Sequence, residues 1–118
     1  MTKSFKSQIK ENIKSQKLWL ERDIREGFPV WAIENSIENI NKLYRQLAPR
    51  TKKEEQDFFN FIAEHDQIIK RTKKARIRFL RHLLANIQNE QDFFKTPENI
   101  KDLQMELEQL EEELNIKF

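Results

Sequence analysis

The residues best suited to binding chemistry are basic side chains that lie together in one acid-free stretch. Between Gln67 and Asn89 the sequence contains no Asp and no Glu. The cations in this stretch are Lys70, Arg71, Lys73, Lys74, Arg76, Arg78 and Arg81. Arginine holds a phosphate group through two parallel hydrogen bonds, and lysine holds it as a point charge. This pattern favours binding of a polyanion.

Helical spacing separates these cations into an outer and an inner set. With about 100° between successive residues, one face of a helix carries most of the positive charge. The residues on this outer face are Lys70, Arg71, Lys74, Arg78 and Arg81. Neighbouring cations along it are about 6 Å apart, similar to the spacing of phosphates along a nucleic-acid strand. Arg76 instead falls among apolar residues, so we expect it to pair with a glutamate of the second or the last helix.

A second row of cations lies near the start of the chain. Its members are Lys3, Lys6, Lys10, Lys14 and Lys17. Spacings of three and four place them in one line over about four helical turns. One interpretation is a solvated face whose lysine stems cover apolar neighbours. The other is a second stripe that faces phosphates or a membrane, and for this we select Lys10 and Lys14 as candidate nucleic-acid-binding residues.

Three interpretations compete for the outer face. The first is a solvated basic helix without a specific ligand, and the second is compensation by the acidic last helix of the same chain or of a second copy. The third, which we prefer, is binding to the phosphate backbone of DNA or RNA, because arginine is frequent in the stretch. An acidic membrane surface is a further alternative. Reading of base edges is less favoured, since this face offers long cations rather than a mixture of Asn, Gln and Arg.

The composition argues against an enzyme and against a metal or cofactor site. The chain has no Cys, two His and one Gly. A disulfide scaffold, a thiolate zinc site and a glycine-rich phosphate loop are therefore excluded. No Glu-x-x-His or His-Glu-x-x-His motif is present, so neither a di-iron bundle nor a zinc protease is indicated. We predict no enzymatic activity and no cofactor.

Hydropathy argues against a membrane protein. No apolar run approaches the roughly 18 residues that a transmembrane helix needs. The N-terminus also lacks the uninterrupted apolar segment of a secretory signal. We therefore expect a cytoplasmic protein without a membrane span.

Composition and periodicity predict an all-α fold. One Gly and three Pro are too few for a protein built from strands and tight turns. We predict a single helical domain over residues 1–118. Its helices should cover about 4–26, 29–47, 52–89 and 97–115.

The first two predicted helices should form a hairpin. Gly27 stands where a left-handed helix end is favoured, and Pro29 stands where the next helix begins. Trp19 and Trp31 lie near this connection in the sequence. We expect both indoles to close that end of the hairpin as core or boundary residues.

The third predicted helix is long and contains the basic stretch. Thr51 and Glu54 have the spacing of a capping box, which marks its start. Because a helix over 52–89 is long for a domain of this size, a bend or break near Arg71–Lys73 is plausible. His65 falls on the apolar face of this helix, where we expect a hydrogen-bonded core histidine.

The last helix is acidic and has heptad spacing. Its apolar positions are Ile100, Leu103, Leu107, Leu110 and Leu114, and we treat them as candidate protein-interaction residues. Residues Met1–Arg81 carry 19 basic and 11 acidic side chains, whereas His82–Phe118 carry 3 basic and 9 acidic ones. This asymmetry indicates a basic working surface and an acidic terminal segment.

The residues together predict a four-helix-bundle-like protein. It should consist of a helical hairpin, a long basic helix and a short acidic amphipathic helix. The preferred function is sequence-independent binding of nucleic-acid backbone, as a small helical subunit of a larger nucleoprotein assembly. The alternative is a helical protein–protein adaptor or inhibitor that uses the heptad-patterned last helix. Other protein subunits or a second copy are further possible partners.

Overall fold

The computed structural model of the protein describes residues 4–86 and 97–115, and within these ranges it contains α-helices and no strand. The helices are α1 (Phe5–Arg25), α2 (Val30–Gln46), α3 (Lys52–Ala63), α4 (His65–Asn86) and α5 (Pro97–Glu113). The predicted all-α, bundle-like fold is therefore confirmed. Lys3 and the predicted helical residues 87–89 lie outside the described residues.

The α1–α2 hairpin is closed by a glycine-dependent turn. Gly27 has a φ of +81°. The Phe28 N–H donates to the Asp23 carbonyl, and the Gly27 N–H donates to the Ile24 carbonyl, both at 3.1 Å. These two bonds form a Schellman motif, which satisfies carbonyls at the end of α1. The predicted role of Gly27 as a left-handed helix end is confirmed.

The main core fills the space between α1, α2, α3 and the first half of α4. Its buried residues are Ile9, Ile13, Leu20, Ile24, Ile33, Ile37, Ile40, Tyr44, Leu47, Phe58, Phe61, Ile68 and Ala75. The α1 and α2 members recur at helical spacing, so each helix contributes one apolar face. Aromatic packing fixes α3, since Tyr44 stacks on Phe58 with ring centroids 5.0 Å apart.

A break at Glu64 divides the predicted long helix into α3 and α4. The prediction of one helix over 52–89 was therefore wrong, and the break lies before Arg71–Lys73. The Glu64 N–H still donates to the Asn60 carbonyl, and its own carbonyl accepts from the Ile68 N–H. Hydrogen bonds of α-helical spacing therefore continue on both sides of Glu64, and this one residue separates α3 from α4. No Gly or Pro at this position produces the break.

The prediction of a core histidine was also wrong. His65 is exposed, with its side chain 3.4 Å from the Asp66 carboxylate, rather than buried in the core. The buried residues Phe58, Phe61, Ile68 and Thr72 keep helical spacing across Glu64, so the buried face continues from α3 into α4. The position of His65 falls on that face by spacing, yet its side chain is exposed.

A capping box begins α3 as predicted. The Thr51 hydroxyl accepts from the Glu54 N–H, and the Glu54 carboxylate accepts from the Thr51 N–H. The same carboxylate lies 3.1 Å from both Lys6 and Lys10 of α1. The hydrogen bonds from the Thr51 N–H and from Lys6, with a smaller contribution from Lys10, outweigh the effect of burial and lower the pKa of Glu54 from 4.5 to about 2. One carboxylate therefore both caps α3 and ties it to α1.

A second, smaller apolar cluster attaches α5. Its buried members are Ile77 and Leu80 of α4 and Leu110 of α5. The partly buried residues around them are Val30, Leu103, Leu107 and Leu114. The acidic helix is thus packed on the second half of α4, beside the start of α2.

Gly27→Ala should destabilise the protein by more than about 1 kcal/mol, because a left-handed backbone already costs an L-residue that much. A Cβ atom at this position would also lie 2.5 Å from the Phe79 Cβ of α4. Urea unfolding followed by circular dichroism measures the loss. Gly27→Asn should recover only part of it, since Asn accepts a positive φ but has the same Cβ contact. Full stability of Gly27→Asn would contradict the close approach of α4.

Glu54→Gln should change the dependence of stability on pH. The pKa of Glu54 is lowered in the folded protein, so its stabilisation is present above about pH 4.5 and is lost as pH falls toward 2. Unfolding free energies of the wild type and Glu54→Gln should therefore differ most near neutral pH and converge toward pH 2. Urea titrations at several pH values measure this difference, and a constant difference would contradict the assigned contacts.

Candidate functional site

The outer face of α4 carries a line of exposed cations. We call Lys70, Lys74 and Arg78 the outer line, and all three side chains are exposed. They stand one helical turn apart, with a rise of about 6 Å at each step. Within residues 4–86 and 97–115, none of the three makes an ion pair. The outer line therefore presents positive charge that the described part of the protein does not neutralise.

Arg71, at the edge of the outer line, is held by α1. Its guanidinium donates to both carboxylate oxygens of Glu21, at 2.9 and 3.0 Å. The hydrogen bond from Arg71 lowers the pKa of Glu21, against a smaller effect of burial, and the same bond raises the pKa of Arg71. Both side chains are about half exposed. Arg71, a predicted site residue, is thus accessible, but its guanidinium N–H groups already donate to the carboxylate of Glu21.

The inner cations of α4 pair with α5. Lys73 lies 2.8 Å from Glu113, and this bond lowers the pKa of that carboxyl group. Arg81, which we predicted as a site residue, lies 3.2 Å from Glu111. Compensation by the acidic last helix, one of the three interpretations of the basic stretch, therefore applies to this side of α4.

Arg76 makes the most buried of these α4–α5 contacts. Its Nε and Nη2 donate to Glu106 at 2.7 and 3.0 Å, and its Nη1 donates to the Gly27 carbonyl at 3.0 Å. Its side chain is only 10% exposed. The guanidinium also lies over the Phe79 ring, 5.2 Å from its centroid. The predicted ion pair between Arg76 and a glutamate of the second or the last helix is confirmed, and its partner is Glu106 of the last helix.

A cleft between the end of α1 and α4 brings several cations together. We call it the α1–α4 cleft. Its lining residues are Ile24, Arg25, Arg71, Lys74, Ala75 and Arg78. Its volume is about 230 Å³. Buried Ile24 and Ala75 form an apolar floor, and the four basic side chains surround it.

The sequence prediction missed Arg25 as a member of this site. Arg25 is exposed in the last turn of α1. It continues the lysine row, because Lys17, Glu21 and Arg25 follow one another at spacings of four. Arg25 could have been identified from the sequence if the row had been extended past the acidic Glu21. The position of this row beside α4 is known only from the packing of α1 on α4.

The lysine row itself is mostly used within the protein. Lys6 and Lys10 share the Glu54 carboxylate, and Lys17 donates to the Tyr44 hydroxyl. Lys14 is exposed and, in the described part of the chain, makes no ion pair. It lines a second cleft of about 230 Å³ that also includes Glu54 and Asp57. Of the two predicted site residues in this row, Lys10 is paired with Glu54, whereas Lys14 makes no ion pair among the residues that the structure describes.

Both tryptophans are exposed, so the expectation that they close the hairpin as core or boundary residues was wrong. The exposed fraction is 55% for Trp19 and 68% for Trp31. Trp19 is covered on one face by the Arg22 guanidinium, 4.1 Å from the ring centroid. Trp31 lines a groove of about 390 Å³ between the start of α2 and α5. The Gly27 turn and Arg76 close this end of the hairpin instead.

The heptad positions of α5 face α4. Leu110 is buried, and Leu103, Leu107 and Leu114 pack around it against Ile77 and Leu80. Ile100 is half-buried. The stripe that we predicted as a protein-interaction surface therefore has a partner within the chain. A second protein could use it only by displacing α5 from α4.

Comparisons with known proteins supply no relative for this chain. No family model matches it, and neither a curated protein nor a solved structure matches it. Among the helices within residues 4–86 and 97–115, none combines the length and hydropathy needed to cross a bilayer. Function must therefore be inferred from the arrangement of charged residues.

Arg76→Met should destabilise the protein by about 2–4 kcal/mol, because it leaves the Gly27 carbonyl and the Glu106 carboxylate without their donor. Arg71→Met is a matched control on the same helix, since it also breaks a two-bond pair with a glutamate. That pair is half exposed and should cost under about 1 kcal/mol. Urea unfolding compares the two variants. An equal loss of unfolding free energy in both variants would mean that the buried contacts of Arg76 contribute no more to stability than the exposed Arg71–Glu21 pair.

Proposed function

We propose that the protein binds nucleic acid through the phosphate backbone, without reading the base sequence. The binding surface is the outer line, with Arg25 and Arg71 at its edge. The protein acts as a small helical subunit of a larger nucleoprotein assembly. The ligand is DNA or RNA, because both carry the same backbone charge.

One contrast carries this proposal. The described protein gives carboxylate partners to Lys73, Arg76 and Arg81 on the inner side of α4, and to Arg71 at its edge. The described residues give no carboxylate partner to the three cations of the outer line. Like charges one helical turn apart repel each other by a few tenths of a kcal/mol for each pair. An external polyanion would offset that repulsion, and all three cations would attract it.

The side chains of this surface favour phosphates over bases. Lysine and arginine reach phosphate oxygens from a range of positions, whereas base recognition needs mixed donors and acceptors at fixed places. The rise between successive cations also approximates the distance between phosphates. Affinity should therefore depend on ionic strength more than on sequence.

Reversal of the three charges of the outer line should abolish binding of nucleic acid. In a variant with Lys70→Glu, Lys74→Glu and Arg78→Glu, a labelled oligonucleotide at low salt should show no change in fluorescence anisotropy. For the wild type, the logarithm of the association constant should fall with the logarithm of salt concentration at a slope of about −2 to −3.5. This slope corresponds to roughly three to five contacted phosphates of a single strand.

The matched control reverses three exposed lysines on other helices. Lys42→Glu, Lys53→Glu and Lys101→Glu produce the same change in net charge, and these side chains are exposed on α2, α3 and α5. This variant should retain most of the affinity. Equal loss in both variants would mean that net charge alone matters. Absence of binding by the wild type to both DNA and RNA at low salt would refute the proposal.

A further inference from the structure

The α1–α4 cleft shares Lys74 and Arg78 with the outer line and adds Arg25 and Arg71, so that cations from two helices line one concave site. Arg25 enters from α1, while Arg71, Lys74 and Arg78 enter from α4. The small Ala75 side chain, 6% exposed, leaves the floor open, and Ile24 lies beside it. A concave site with cations on opposite walls concentrates positive potential more than a convex helix surface does. Such a site suits one compact anion.

A carboxylate within the protein already binds one of these cations as an anion would. The two oxygens of Glu21 accept from Nη1 and Nη2 of Arg71 at 3.0 and 2.9 Å. Arginine binds a phosphate group in the same two-bond manner. Glu21 therefore marks a place where the oxygens of an anion are held.

The balance of charge favours replacement of this carboxylate. Glu21 offers one negative charge to Arg71, and Arg25 adds a further attraction to it. Lys74 and Arg78 make no ion pair within the described residues. A phosphate group carries more acceptor oxygens than a carboxylate and can reach several of these cations together. The exposed Arg71–Glu21 pair is also weak enough to exchange in water.

We propose that the α1–α4 cleft binds one phosphate group of the nucleic acid, and that this phosphate replaces Glu21 at Arg71. This inference rests on the proposed function, because the phosphate belongs to the strand that follows the outer line. Arg25 and Arg71 hold the group from the two sides of the cleft. Glu21 keeps Arg71 in position in the free protein and competes with the ligand.

Removal of the competitor tests the exchange. Glu21→Gln should raise the affinity for a single-stranded oligonucleotide by up to about five-fold, the factor expected when one exposed ion pair no longer competes. Glu38→Gln is the matched control. It removes the same charge from a glutamate that is exposed and paired with Arg45 at 3.0 Å, away from the cleft. It should change the affinity by less than about two-fold.

The source of the phosphate is tested with two oligonucleotides of the same sequence. One carries a 5′-phosphate and the other a 5′-hydroxyl group. A terminal phosphate in the cleft predicts tighter binding of the phosphorylated strand, and Arg25→Ala should remove this preference. A backbone phosphate predicts equal binding of both strands, with Arg25→Ala weakening both several-fold. Lys42→Ala should have no effect in either case.

The controls separate failure of this inference from failure of the proposed function. If Glu21→Gln and Glu38→Gln change the affinity equally, or if Arg25→Ala has no effect, the cleft does not bind phosphate. The proposed function still stands in that case, provided that reversal of the outer line abolishes binding. If neither oligonucleotide binds to the wild type, both proposals are wrong. Circular dichroism and thermal unfolding of each variant confirm that it is folded.

Discussion

The buried guanidinium of Arg76 is the interaction on which the arrangement of the other elements depends. It joins the turn between α1 and α2, through the Gly27 carbonyl, to the Glu106 carboxylate of α5. A charged group removed from water is stable only when its hydrogen-bonding partners are in place. The hairpin turn, α4 and α5 must therefore come together at one point. Gly27 permits this, because a Cβ atom there would collide with Phe79.

This arrangement determines which cations of the basic stretch remain accessible. Once α5 lies along the inner side of α4, its carboxylates neutralise Lys73, Arg76 and Arg81. Within residues 4–86 and 97–115, the cations of the outer line make no ion pair with these or other carboxylates. The acidic helix therefore acts as a structural partner of α4. Among the described residues, the cations of α4 without a carboxylate partner lie on the side that carries the outer line and the α1–α4 cleft.

The sequence predicts the parts of this structure that depend on local chemistry. The glycine at the end of α1, the capping box of Thr51 and Glu54, and the ion pair of Arg76 follow from residue type and helical spacing. In each case, a required backbone conformation or a buried charge allows only a few residue types or partners. These constraints act over a few residues, or demand one partner of known charge, so they can be recognised without a structure.

The features that could not be predicted depend on how the helices pack. The break at Glu64 has no Gly or Pro to mark it in the sequence. His65 is exposed although its spacing places it on the face that α3 and α4 bury. Trp31 is exposed, although it lines the groove between the start of α2 and α5. Arg25 joins the cleft only because α1 lies against α4.

The most direct test of the central claim is a titration of ¹⁵N-labelled protein with a short oligonucleotide, followed by amide chemical shifts. The largest shifts should occur at Lys70, Lys74 and Arg78 and at the end of α1 near Arg25. The amides of α5 around Glu106 should change little, because that helix stays bound to Arg76. Shifts confined to α5 or to the tryptophan side of the hairpin would contradict the account. Absence of any shift at low salt would contradict it as well.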